Sequence, residues 1–276
     1  TVTGRSLESI LERRIIWKQT ILSGNFQNGI KKLLDENIIN PSDASRKVER
    51  LIFEASTDPA ITGLTVDAQF TGDNLYDAIK KLCDSKNIGF RIKLSDDNKF
   101  VFKLYAGADR SYDQFTNPYV IFSPKFENVI NTNYLESKKT LKTVTLVAGE
   151  GEGADRKTTT VACSSGAGTG LNRRELYTDA RDVSSTVDNE TLTDAEYKAQ
   201  LSQRGLENLA ENIATKSFEG KVETTRMYRY GEDFFLGDMV QIVNEYGIEG
   251  KARVTEFIRS QSKEGLDSYP TFVTVE

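Results

Sequence analysis

Leu146–Val161 reads LVAGEGEGADRKTTTV, with Gly149, Gly151 and Gly153 alternating with Glu150 and Glu152. The reading of this run decides between a nucleotide-binding α/β fold and a β-rich one. A dinucleotide fingerprint needs G-x-G-x-x-G opening a helix, and a P-loop needs Gly-Lys-Ser/Thr after its spacer, because both turn backbone N–H groups toward an anion. Neither spacing is present. Two carboxylates would also stand where phosphate must sit, at a Coulomb cost unless a metal compensates. Lys157–Val161, which follows, is rich in β-branched residues and predicts a strand instead of a helix. The glycines are therefore hairpin chemistry, with Arg156 placed to pair with Glu150 or Glu152 across the turn.

Outward from this hairpin the pattern alternates between helix and strand. Ser6 caps a predicted helix LESILERR, after a strand end at Thr1–Thr3, and Ile15–Leu22 reads as a strand. Asn25–Ile39 and Asp73–Lys86 are predicted amphipathic helices that share N-x-x-x-x-I-K-K-L-x-D, and Asn40-Pro41 stops the first. Their flanks differ, so they are two alike helices and not a tandem repeat. Val48–Ala55 and Leu64–Phe70 read as strands, while IGFRIKL and FVFKLYAG alternate on either side of SDDNK as a hairpin. Asp96, Asp97 and Asn98 in that turn lack the Gly and distal Glu of a calcium loop and read as a solvated turn. Tyr119–Phe122 and Leu141–Ala148 are further predicted strands, and ACSSGAGTG (162–170) is a small-residue loop.

Thr193 with Glu196 has the form of a capping box and opens a predicted helix Thr193–Ala214, paved with charge and carrying a narrow apolar stripe that covers one side of a neighbour. The last seventy or so residues are β-rich, at Val222–Tyr228, Met239–Val243, Ala252–Ile258 and Thr271–Val275. Short turns between antiparallel strands favour closure as a small barrel or sandwich, which removes exposed edges. The expected class is α+β, with antiparallel β-barrel character and a helix-and-hairpin module.

Composition narrows the function. The chain has 276 residues, a net charge of −5, and Arg or Lys runs no longer than pairs such as Arg13-Arg14. Phosphate backbones need a concentrated cationic footprint, so no nucleic-acid site is expected. No stretch reaches the ~18 apolar residues of a membrane span. Histidine is absent, which removes the usual general base and the commonest zinc ligand, and with them His-dependent hydrolases. Cys83 and Cys163 make no disulfide framework; Cys83 falls on a helical apolar stripe as a buried thiol. No metal or other cofactor is implied.

Paired carboxylates are the remaining catalytic chemistry, as in a cell-wall or glycan hydrolase. Glu232, Asp233 and Asp238 are the candidates, but their neighbours are polar and give no apolar pocket for a general acid. In the structural reading Gly237 supplies an unusual backbone angle and Asp238 caps the turn. No catalytic residue is assigned. A binding or assembly part is what remains, and a host-surface adhesin is a further alternative. The candidate contact loop is Gly149, Glu150, Gly151, Glu152, Gly153 and Arg156; Gly237 and Asp238 form a structural turn.

Five stretches in order, TVTGRSLESILERRII, GDNLYDAIKKLCDSKNIGFRI, LVAGEGEGADR, YGEDFFLGDMVQI and GKARVTEFIRS, resemble the siphovirus Gp37-like family of phage and prophage tail proteins. The resemblance implies a tail-tip or baseplate hub that joins the tail tube to the tip and closes the channel. It also implies a homotrimer in the virion tail, with two small β-barrels per chain matching a hexameric tube. Its neighbours would be the distal tail ring and the tape measure, and it would be made in the cytoplasm of the bacterial host. On this picture VTGRS trails the first barrel, whose N-terminal part is expected to be missing, and LGDMV starts a strand of the second. The implied division is residues 1–22 with 117–170 as a first barrel remnant, 23–116 as an α+β module, 171–216 as a connecting loop and long helix, and 217–276 as the C-terminal barrel.

Overall fold

A computed structural model describes residues 5–187, 190–222, 227–244, 246–247, 249–263 and 265–275. Val2–Gly4 of the VTGRS strand, the predicted strand end at Thr1–Thr3 and residues 223–226 of the predicted strand Val222–Tyr228 lie outside them. The chain is α+β and divides into two compact units, one of Thr1–Tyr105 with Lys142–Ile213, the other of Ala106–Leu141 with Ala214–Glu276. This grouping differs from the four-part division: residues 142–170 go with the first unit and 117–141 with the second.

In the first unit the helix expected at LESILERR is a 3₁₀ helix, Leu7–Arg13, with Leu11 buried. Helix α1, Phe26–Leu34, and helix α3, Leu75–Ser85, flank a single turn α2, Pro59–Thr62. The shared motif works the same way twice. Asn25 accepts from the Asn28 N–H and Asn74 from the Tyr76 and Asp77 N–H groups, so each satisfies a donor that the first helical turn leaves unpaired. The first helix then passes into a π-helical turn at Asp35–Ile39. Strands Thr20–Asn25 and Thr65–Phe70 pair antiparallel. The hairpin Gly89–Leu94 with Phe100–Tyr105 forms as its alternation requires, Asn98 taking the left-handed conformation in the turn, and Leu51–Glu54 adds to it in parallel.

Val144–Ala148 is the centre of a three-stranded sheet. Thr158–Ala162 pairs with it antiparallel, closing the glycine hairpin, and Glu175–Asp179 pairs on the other side in parallel. Helix α4, Asp194–Glu211, has both halves of its capping box and packs on this sheet, on Thr65–Phe70 and on α3. Tyr197, Leu201 and Leu209 are buried as its stripe predicts. Gln200, Gln203 and Glu207 are buried too, so α4 is enclosed on more than the one side its charge pattern suggested.

The second unit holds a seven-stranded mixed sheet. Its path runs Asp109–Arg110, Met239–Val243, Glu249–Ser262, Gly265–Val275, Thr215–Val222, Val129–Ser137, with Ile121–Phe122 also on Met239–Val243. Both two-residue strands are parallel to Met239–Val243; the other pairings are antiparallel. No pairing among the described residues joins the two ends of this path, so a closed barrel is not formed by them. The core is aromatic, with the Phe122 ring 5.0 Å from Phe272 and 5.6 Å from Phe234. Val240, Ile242, Ala252 and Val254 complete it from the inward positions of the strands.

Candidate functional site

The glycine hairpin is tied to its own unit through Gly149, Glu150, Arg156 and Lys157. The Gly149 N–H donates to the Lys157 carbonyl at 2.8 Å and the Lys157 N–H to the Glu150 carbonyl at 3.0 Å, which closes the turn. Gly151 and Gly153 take positive φ, 98° and 56°, where an L side chain is strained. Gly149 has a different reason. A Cβ there would sit 2.3 Å from the Tyr197 hydroxyl, so the glycine admits α4 against the strand end. That hydroxyl accepts from the Glu150 N–H at 2.8 Å and donates to the Val183 carbonyl at 3.0 Å.

Arg156 does not pair with Glu150 or Glu152. Its guanidinium donates to the Gly149 and Ala148 carbonyls at 2.9 and 3.0 Å, to the Tyr177 hydroxyl at 2.7 Å and to Asp179 at 2.7 Å. Asp179 arrives on the parallel strand, which no local pattern announces, and it outcompetes the two nearby glutamates because the β-sheet fixes its position. Arg181 and Arg156 hold the Asp179 carboxyl down to about 2. Glu150 accepts from the Ser185 hydroxyl, which lowers its pKa, and Glu152 is exposed. Of the predicted loop residues, Gly149, Glu150 and Arg156 are thus engaged inside the unit, while Gly151, Glu152 and Gly153 face outward.

Gly237 has φ 88°. Asp238 follows it, 3% exposed, and its carboxylate accepts from the Ala108 N–H at 2.8 Å, the Phe235 N–H at 3.0 Å and the Arg110 Nε at 2.7 Å. Three of its roughly four acceptor sites are taken, one on Oδ1 and two on Oδ2, so the carboxylate is committed to holding this turn. Asp233 accepts from the Arg229 N–H at 2.7 Å, and Glu232 lies 3.5 Å from the Arg229 guanidinium; both are exposed. Of the three candidate carboxylates, Asp238 and Asp233 hold turns through backbone N–H groups, and Glu232 is in an exposed ion pair.

A shallow groove of about 450 Å³ crosses the three-stranded sheet, lined by Leu146, Thr160, Leu176 and Tyr177 with Arg173 and Glu175. Its one carboxylate, Glu175, is bonded to Arg173 at 2.6 Å. Among the described residues no group of three or more Asp, Glu, Cys or His is arranged to hold a metal, and no helix is long and apolar enough to cross a membrane. Asp97 is bonded to Ser95 and Lys99 in its turn, as a solvated turn requires.

One carboxyl that no sequence pattern singles out stands apart. Glu207 on α4 is 2% exposed. It accepts from Gln203 Nε2 at 3.2 Å, and the Arg204 Nε is 3.8 Å away, beyond hydrogen-bond length. Burial raises its pKa to about 7 against the weaker opposing pull of Arg204.

The architecture is that of solved tail proteins. A tail protein from Neisseria meningitidis MC58 superposes with a TM-score of 0.52 at 15% identity, covering 99% of this chain and 73% of that one. A 43 kDa tail protein of prophage MuSo2 from Shewanella oneidensis gives 0.51 at 12% identity, covering 99% and 72%. At such identities the likeness is one of fold. The family follows from the sequence: the chain belongs to the Siphovirus ReqiPepy6 Gp37-like protein family, whose model matches residues 1–272, in agreement with the resemblance carried by the five stretches. No curated protein sequence matches the chain.

Proposed function

We propose that this chain is a structural component of a phage or prophage tail, acting as a tail-tip or baseplate hub that joins the tail tube to the tip and closes the channel. The observation that carries this reading is membership of the Gp37-like family over residues 1–272 together with the fold of two solved tail proteins. The chemistry of the described residues agrees with it. Asp233 and Asp238, two of the candidate carboxylates, are bonded into turns, and the net charge of −5 suits a channel wall that must release DNA, since cationic linings would retain phosphate. The assembled form is a homotrimer in the virion tail, with barrel-like β units docking on the distal tail ring and the tape measure. Gly151, Glu152 and Gly153 at the hairpin tip form one contact with a neighbour, their backbone free to approach closely.

The test is immunogold electron microscopy of particles from cells carrying the gene, paired with light-scattering mass of the purified full-length protein. Label at the distal end of tails and a mass of three chains are expected. A protein that leaves tails unlabelled and turns over cell wall, with loss of turnover in Glu232→Gln, would instead make it a hydrolase. Direct glycan binding by a chain that labels no tail would make it an adhesin.

A further inference from the structure

Among the described residues two carboxyls, Asp238 and Glu207, are buried, and they are held very differently. Asp238 meets three N–H donors within 3.0 Å, one of them a guanidinium. Glu207 meets a single neutral amide donor at 3.2 Å. The nearby cation, Arg204, is committed elsewhere: it bonds Asp182 at 2.9 Å and the Gln69 carbonyl at 3.4 Å, leaving only its Nε near Glu207 at 3.8 Å. An ionised carboxylate in that setting is not compensated for lost hydration. We propose that Glu207 is a proton-binding site that couples the seam between α4 and α3 to pH, tight when the carboxyl is protonated and loosened when it ionises.

The groups around it allow this. From α3, Lys81 pairs with Glu211 at 3.6 Å, and its charge still favours ionised Glu207, less than burial opposes it. Gln203 links Glu207 to Ser85 at the end of α3, through bonds of 3.2 and 3.1 Å. Asp73, before α3, acts on Glu207 with like charge and opposes its ionisation. From the sheet, Val147 and Val161 meet α4 at Gly205 as apolar groups, and the pair Lys157–Asp194 lies at the first turn of the helix. Burial holds the carboxyl near 7, against an ordinary value of 4.5. A raised carboxyl gives stability that is complete below the ordinary value and is lost as pH climbs through the folded one, so the seam weakens on the alkaline side. The absence of histidine leaves little else in the chain to titrate between those values.

Hydrogen exchange by mass spectrometry on the full chain, corrected for the intrinsic pH dependence of exchange, tests the proposal. Linkage between the two values predicts that opening of α4 rises roughly 70-fold from pH 5 to pH 8. Glu207→Gln, which keeps shape and hydrogen bonding but cannot ionise, is expected to show a flat profile. Should that variant fail to fold, carbon NMR of the Glu207 carboxyl in the unmodified chain decides the matter, with titration near neutrality expected. A flat profile in the unmodified chain, an unchanged slope in Glu207→Gln, or a carboxyl titrating near 4.5 would overturn it.

Discussion

Asp238 is the residue on which the structural and catalytic readings of the second unit part most sharply. Replacing it with Ala removes the acceptor for two backbone N–H groups and leaves Arg110, whose side chain is 14% exposed, without its bonded carboxylate. Breaking a buried pair by deleting one partner costs about 3–5 kcal/mol. Asp238→Asn keeps the shape and one acceptor but turns an NH₂ toward a donor and forfeits charge assistance, each such bond being worth about 1.5–3 kcal/mol. We expect a loss of about 2–3 kcal/mol for Asn and more for Ala. The assay is amide exchange in Met239–Val243, whose first residue is held by the Ala108 carbonyl next to the turn. A loss of about 3 kcal/mol appears there as roughly a hundredfold drop in protection. Glu232→Gln, on an exposed pair, is the control and should change stability by no more than about 0.5 kcal/mol. If Asp238→Asn alters protection less than threefold, the carboxylate does not hold the turn and the reasoning fails.

Gly205 lies where a Cβ would stand 2.8 Å from Val147 Cγ2 and 2.9 Å from Val161 Cγ2. Overpacking of about 1–3 kcal/mol exceeds the ~1 kcal/mol of helix propensity that alanine gains, so Gly205→Ala should lower the denaturation midpoint and Gly205→Leu should lower it further; a more stable Gly205→Ala contradicts the close seating of α4. Asn25→Ala and Asn74→Ala should each cost about 1 kcal/mol through loss of an N-cap, read from urea unfolding, and equal stability of either variant with the parent denies that cap. Cys83 is 1% exposed with its thiol pushed far up by burial, whereas Cys163 is partly exposed. Ellman's reagent should therefore titrate one thiol per native chain and two in denaturant, and two fast native thiols would refute the burial of Cys83.

The parts legible in the sequence were those governed by local physics. Amphipathic periodicity and the alternation around Ser95–Lys99 specify α1, α3 and the hairpin with few residues, and the capping box at Thr193 marks α4. The parts that escaped depend on distant partners. Glu175–Asp179 is short and charged, so it reads as solvated loop, and only pairing with Val144–Ala148 makes it a strand. Val129–Ser137 alternates weakly and is likewise recruited by Thr215–Val222. The partner of Arg156 was missed for the same reason, since Asp179 reaches it only once the parallel strand is in place. Gln200, Gln203 and Glu207 read as solvent-facing because polarity stands for exposure in a periodicity argument. That proxy fails where a helix is packed on a sheet and on a second helix at once.

Each compact unit is assembled from two separated pieces of chain, and the pieces alternate along the polypeptide. As the ribosome delivers the chain, the first unit lacks its central three-stranded sheet and α4 until Ile213 has emerged, and the second waits for the final strand. A truncation before Ile213 therefore leaves the first unit unfinished, and one before Gly265–Val275 leaves the second unfinished. Termination between Ile213 and Gly265–Val275 should thus give a finished first unit attached to an unfinished second one, a product open to proteolysis.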